Sequence, residues 1–354
     1  MKKLLYITTH LQNSGGVARI LSVKLNYLVE TFHYEISVIN SNHDNDSFFY
    51  NFNSKINIFP LDAKGKLGYK KQLNNLVNTI QPDFIINCDN GFKGALLPYL
   101  ITSKAPLFYE RHCSKYISAG TLKERFLLKC ANLVTEKSIH KYQEFIVLNK
   151  FEKEDWSRKD VLVIPNPIWF KTPSERILNK KNIAVAVGRH AYEKRYDKLL
   201  HIWKKVVENN PDWVLKIYGE KNNKINLKSH VEALHLNNNV MLCEPINDLN
   251  KIYSEASMLL ATSESESFPL VFIEAKAFGL PIIAFENYGS KTLVEDNVNG
   301  FLIGSNNIQS YVDKTKHLIS DLDLQKRLGE NAKKSLAKLD IDAIMAVWHK
   351  LFQA

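Results

Sequence analysis

Two tandem doubly wound α/β domains are predicted by three features of the chain. Its 354 residues, 45% hydrophobic and 24% charged, make a soluble globular composition of about two domains at roughly 100–200 residues each. Short Ile/Val/Leu/Phe runs alternate with longer amphipathic stretches from end to end. The alternation then restarts after a proline-containing stretch at Asn166-Pro167-Ile168. Near-continuous apolar strands separated by helices imply parallel sheets covered on both faces.

In the first half, residues 3–8, 35–40, 84–87, 106–110, 144–148 and 161–165 read as strands of four to six apolar residues. Residues 17–31, 67–81 and 121–138 between them carry helical periodicity. Residues 166–182 hold prolines and no regular period, which suits a linker. Strands at 183–187, 213–218, 240–242, 258–261 and 281–285 follow, with helices at 196–209, 228–236, 248–256 and 269–278. The expected domains are therefore 1–165 and 166–340. A last segment, 341–354 with Trp348 and Phe352, is expected to cross back to the first. Ligands of such sheets bind outside the carboxyl ends of the strands, so two of them should form a cleft.

Composition excludes several classes. No apolar run reaches the ~18–20 residues of a membrane span, and the Met1-Lys2-Lys3 start is followed by too short an apolar run for a signal peptide. A cytoplasmic location is expected. Cys88, Cys113, Cys130 and Cys243 are scattered, without a C-x-x-C pair, and read as small core residues rather than disulfides or zinc ligands. The formal charge of +10 is uneven: 22 basic against 15 acidic residues up to Pro165, then 25 against 22. A basic first half suggests an anionic partner, phospholipid or nucleic acid.

Three strand-to-helix loops carry the chemistry. After residues 3–8 comes Asn13-Ser14-Gly15-Gly16, whose glycines let backbone approach a ligand closely at a helix N-terminus. It is neither G-x-G-x-x-G nor a P-loop. After residues 183–187 comes Gly188-Arg189-His190-Ala191-Tyr192-Glu193-Lys194, where Arg189 and Lys194 could neutralise a diphosphate without a metal. A solvated basic loop fits that spacing equally well. The third is Thr262 to Ala275: Glu266 precedes the helix begun near Pro269, and Glu274 stands inside an apolar run, costly to bury unless bound to something. Two carboxylates flanking a helix N-terminus offer acceptors for ligand hydroxyls while amides face an anion.

Together these residues resemble the retaining GT-B glycosyltransferases of glycosyltransferase family 4. The Glu-x7-Glu element is Glu266 to Glu274, the Gly-Arg…Glu-Lys loop is Gly188-Arg189…Glu193-Lys194, and the glycine turn is Gly15-Gly16. Ala275-x-Ala277-x-Gly279-x-Pro281 and Glu295-Asp296-x-x-Asn299-Gly300-Phe301-Leu302 extend the match. It is strong from 182 to 303 and weaker before. The resemblance implies a GT-B fold of two Rossmann-like domains and a nucleotide-sugar donor, with UDP favoured by its commonness. Arg189 and Lys194 would hold the leaving diphosphate, Glu266 the sugar hydroxyls and Glu274 the ribose. The amides of Phe268 and Leu270 would lie near sugar and phosphate, Gly16 would approach the phosphate, and His112 of Glu110-Arg111-His112 would stand beside the transferred sugar. No metal or other cofactor is implied. The implied acceptor is a glycan or lipid-linked oligosaccharide of cell-surface polysaccharide synthesis.

Three positions depart from the family pattern: Ser267, Thr292 and Cys243 replace a common Gly, Glu and Gly. Asp44-Asn45-Asp46 matches a metal-binding D-x-D but sits in a polar run that reads as a loop. Asp321-Leu322-Asp323 and Asp340-Ile341-Asp342 read as helix caps. The basic stretches 64–71 and 115–129, mixed with aromatic and aliphatic residues, suit peripheral contact with the inner face of an anionic membrane. Nucleic acid is not favoured, since the charge is spread rather than striped. A GT-B-like sugar-nucleotide epimerase and a non-catalytic glycan-binding module are the alternatives.

Overall fold

The computed structural model describes every residue except 10, 42–46, 64, 118–120, 171–180 and 223–224. The D-x-D at 44–46 and most of the expected linker lie outside the described residues. The chain forms two compact units, one of Met1–Lys115, Thr121–Pro167 and Ile341–Ala354, the other built on Ile168–Asp340.

In the first unit the strands are β1 (Lys3–Thr8), β2 (Glu35–Asn40), β3 (Asn57–Pro60), β4 (Phe84–Asn87), β5 (Leu107–Glu110), β6 (Glu144–Val147) and β7 (Leu162–Val163). They pair in the order β3-β2-β1-β4-β5-β6-β7, each pair parallel. The helices α1 (Gly16–Glu30), α2 (Gly65–Ile80), α3 (Phe92–Leu100), α4 (Leu122–Ser138) and α5 (Lys150–Lys153) lie between them in sequence. Leu5, Ile7, Ile85, Tyr109, Phe145 and Val147 of the strands pack with Leu73, Val77 and Leu97 of the helices in one core.

The second unit repeats the design with β8 (Ile183–Val187), β9 (Val214–Tyr218), β10 (Val240–Cys243), β11 (Met258–Ala261), β12 (Ile282–Phe285) and β13 (Gly300–Ile303). Their order is β10-β9-β8-β11-β12-β13, again all parallel. Helices α6 (Tyr196–Val207), α7 (Leu227–Ala233), α8 (Leu249–Tyr253), α9 (Leu270–Ala277), α10 (Tyr288–Leu293), α11 (Ile308–Ser320) and α12 (Leu322–Lys334) complete it. The last helix, α13 (Ile341–Leu351), packs on the first unit: Tyr27 donates a hydrogen bond to Asp342 at 2.6 Å, and Phe352 stacks on Phe108 at 6.1 Å.

Several local readings change. Residues 57–60 form a strand ending in Pro60, tolerated because β3 is an edge strand. Helix α3 was not legible, since Pro98 inside it hides the period. The strand expected at 161–165 shrinks to two residues. Thr121 is not the first turn of α4 but its cap, closing a capping box with Glu124. Pro269 likewise caps α9 rather than starting it. Asp321 caps α12 through Leu324 N–H. Of the four cysteines only Cys88 is fully buried, which corrects the core reading of the other three.

In each sheet the strand order reverses once, between β1 and β4 and between β8 and β11. Doubly wound sheets bind ligands outside the carboxyl edge at such a switch point. The loops after β1, β8 and β11 hold Gly15–Gly16, Gly188–Lys194 and Glu266.

Candidate active site

The second unit brings the loops after β8 and β11 together through main-chain geometry. Gly188 has φ +152, and a Cβ there would lie 3.0 Å from Lys194 Cε and 3.2 Å from the Tyr196 hydroxyl. At Gly219, after β9, a Cβ would fall 1.9 Å from Gly188 O, so only glycine permits that backbone approach. Tyr196 OH donates to Gly188 O at 3.0 Å.

Lys194 ends a short 3-10 turn (Tyr192–Lys194), and Arg195 after it takes a left-handed conformation, φ 49 and ψ 44. A non-glycine residue there is strained, and a dense set of bonds holds it. Arg195 forks onto Asp197 at 3.0 and 2.9 Å and pairs with Glu264. Thr262 Oγ1 donates to the carbonyls of Lys194 at 2.9 Å and Arg195 at 3.1 Å, and Glu264 N–H donates to Glu193 O at 2.9 Å.

Across this junction Lys194 Nζ stands 2.5 Å from Glu266 Oε1, both side chains about four-fifths buried. Gly289 N–H donates to Glu266 O at 2.8 Å, and a Cβ on Gly289 would meet Glu266 Cβ at 2.8 Å. Lys194, Tyr196, Thr262, Glu266, Val271 and Phe272 are among the residues lining a small cavity here. Arg189 stays more than half exposed, with Glu193 Oε1 at 3.6 Å. The two cations of the loop thus each face a carboxylate.

Helix α9 carries the second glutamate. Glu274 is buried and accepts a hydrogen bond from Tyr253 OH at 2.7 Å. The same helix is bolted down by buried Lys276, whose ammonium bonds Leu293 O and, at 3.0 Å, Ser335 Oγ. Burial brings that lysine down to about 8, against a smaller upward pull from Glu295. Phe268 and Leu270, flanking the α9 cap, are buried. Of the departures, Ser267 is buried in the β11–α9 loop, Thr292 bonds Tyr288 O at 2.7 Å within α10, and Cys243 ends β10, half-buried.

In the first unit Gly15 is the N-cap of α1 in extended conformation, and Asn13 Oδ1 accepts its N–H at 3.0 Å. The loop after β5 presents His112, whose backbone N–H donates to Asn90 Oδ1 at 2.8 Å. Its imidazole is nearly enclosed, with Nε2 3.6 Å from Glu110 Oε1. Glu110 in turn meets the Lys24 ammonium at 2.5 Å, both side chains 1% exposed. Trp348 of α13 covers Lys24 with its ring, 3.6 Å from Nζ to centroid. Cys88 Sγ is 3.7 Å from Glu110 Oε2. Burial pushes the Glu110 carboxyl up, but Lys24 and then His112 outweigh it and hold it down to about 2.

Sequence reasoning missed this cluster. One signal was available: Lys24 falls on the Ile20, Leu21, Leu25, Leu28 face of α1, where an unpartnered ammonium would be costly. Cys88, Glu110 and His112 bring donor atoms within 4.8 Å of one another, an arrangement their sequence spacing conceals. Lys24 already supplies the positive charge at that carboxylate.

These two sheets define the GT-B fold, and the comparisons define the class. Residues 168–335 match the family model described as Glycosyl transferases group 1. The chain is 27% identical over 285 residues to an uncharacterized glycosyltransferase of Haemophilus influenzae, covering 77% of this chain and 78% of that one. It is 26% identical over 299 residues to the amylovoran biosynthesis glycosyltransferase AmsD of Erwinia amylovora, with the same coverages. TarM of S. aureus, solved with UDP, fondaparinux and alpha-GlcNAc-glycerol, superposes with TM-score 0.86 over the whole of both chains at 16% identity. The chain is a glycosyltransferase of GT-B fold, and the similarity to glycosyl transferases group 1 lies in its second unit.

The buried pair generates a stability prediction. Glu110 titrates lower folded than unfolded, so its contribution is complete above the ordinary value of 4.5 and is lost as pH falls through about 2. Lys24→Met should lower unfolding free energy near neutral pH by about 3–5 kcal/mol in urea denaturation. The deficit should narrow as pH falls, first where the variant's carboxyl, pushed up by burial without Lys24, takes up a proton, and then as the wild type loses its own contribution toward about 2.

Proposed function

We propose that this enzyme is a retaining transferase of family 4 that moves a sugar from UDP to a glycan or lipid-linked oligosaccharide in cell-surface polysaccharide synthesis. The observation that carries the reading is the Lys194–Glu266 pair, an ammonium and a carboxylate held 2.5 Å apart at the switch point of the second sheet. A fixed cation there suits a departing diphosphate, and a fixed carboxylate suits sugar hydroxyls. The similarity to AmsD supports polysaccharide synthesis, and the UDP bound to TarM supports a uridine donor.

In this reading Lys194 and exposed Arg189 take the diphosphate, neutralising it as the glycosidic bond to the donor breaks. No metal takes part. Glu266 binds sugar hydroxyls, and Glu274 the ribose, with Tyr253 OH donating to one of its oxygens. The amides of Phe268 and Leu270 serve sugar and phosphate, the Gly15–Gly16 turn serves phosphate, and His112 contacts the transferred sugar. The acceptor oxygen attacks the face the leaving group vacates, and the departing phosphate takes its proton.

The acceptor side draws on α4. Of its 17 residues only Thr135 and Ser138 are buried, while Leu122, Phe126, Leu127 and Leu133 are exposed among Lys123, Arg125, Lys129 and Lys137. That composition suits an anionic bilayer surface. Among the described residues no helix is long and apolar enough to cross a membrane.

Lys194→Ala should cut kcat by roughly 10²–10³, the cost of one preorganised transition-state donor. Turnover of the unaltered enzyme should survive EDTA; a strict divalent-metal requirement would overturn the metal-free clamp. Glu274→Gln should weaken UDP binding by calorimetry while the melting temperature stays within a few degrees. Acceptor-dependent release of UDP separates transfer from epimerisation. Vesicles containing phosphatidylglycerol should retain the enzyme in flotation, and Leu122→Ser/Phe126→Ser should release it.

A further inference from the structure

The assignment of His112 to the transferred sugar leaves open which of its nitrogens carries the proton. Nε2 is enclosed and has no hydrogen-bond partner among the described residues, with the Glu110 carboxylate 3.6 Å away. A lone pair on Nε2 would face a carboxylate oxygen, two acceptors opposed in a space closed to water. A proton on Nε2 turns the same contact into an attraction and leaves Nδ1 as an acceptor. This holds only while Glu110 is ionised, because a protonated carboxyl would donate to Nε2 and reverse the tautomer.

We propose that Lys24 and Trp348 are positioning residues that keep Glu110 ionised, so that His112 holds its proton on Nε2 and offers Nδ1 to a sugar hydroxyl. The proposal rests on the reading of His112 given above. Lys24 is the ammonium at hydrogen-bond distance from Glu110, reaching it from α1. Among the described residues, Cys88, after β4, and Tyr6, on β1, also face the carboxylate, both pushed up by burial and therefore neutral. Lys24 donates a hydrogen bond to Glu110 and also lies against the indole face of Trp348. An aromatic face attracts a desolvated ammonium, so α13 holds in place the cation on which the imidazole's polarity depends.

The test uses the full chain with ¹⁵N-labelled histidine, the His112 signals being assigned by their loss in His112→Gln. Lys24→Met/Glu110→Gln replaces the ion pair by neutral groups of similar size, a change buried pairs often tolerate. The wild type should show the Nε2–H tautomer at neutral pH, and the double variant should lose that preference. Its kcat should fall on the order of 10–100-fold, as for a misplaced reacting group, with the donor KM within about twofold. Trp348→Phe, which keeps an aromatic face, should retain the turnover and tautomer that Trp348→Leu loses. An unchanged tautomer in the double variant overturns the proposal. A changed tautomer with unchanged kcat supports control of the imidazole and instead sinks the role of His112 in transfer.

Discussion

The Lys194–Glu266 contact is the interaction on which the candidate chemistry depends, and it is made possible by main chain rather than by burial. Neither side chain is fully withdrawn from water, so the pair by itself would be weak. Its geometry is fixed because the two loops are already joined. Thr262 bonds the carbonyls of Lys194 and Arg195, Glu264 bonds that of Glu193, and Gly289 bonds that of Glu266. Gly289 lets its backbone come close enough to Glu266 for that bond to form, and Gly219 admits the close approach of Gly188 O beneath Lys194 and Tyr196. The loops are thereby preorganised, as the proposed stabilisation of a leaving group requires.

The first unit solves a different problem. Around Glu110 the charges are taken almost entirely out of water, and the carboxylate survives chiefly because an ammonium meets it at 2.5 Å. The second unit keeps its ions at a surface where a ligand can reach them, whereas the first keeps Lys24 and Glu110 sealed. A sealed pair cannot be spent on a ligand, but it can set the state of a neighbour such as His112.

Much of this was legible in the sequence. The alternation of apolar runs and amphipathic stretches marks both sheets, and Glu266, Glu274, Arg189 and Lys194 stand out as charged residues beside apolar strands and helix starts. What escaped was long-range pairing. Tyr253 lies 21 residues from Glu274, Lys24 lies 86 from Glu110, and no local pattern links either pair. Short elements escaped too: β3 ends in Pro60 and α3 encloses Pro98, each erasing the periodicity that would reveal it. The conformation of Arg195 had no signature, because a left-handed position ordinarily announces itself by glycine.

The placement of α13 has a consequence for how the chain is born. Synthesis delivers this helix after the whole of the second unit, yet it packs on strands and helices made before that unit. The ribosome releases residues at about 5–20 per second, so for many seconds the earlier-made unit waits with Lys24 uncovered by its indole lid. The N-terminal unit therefore matures only after the second has been translated, and a ribosome that stalls between Asp340 and Trp348 leaves behind a chain whose later-made unit is finished and whose earlier-made one is not.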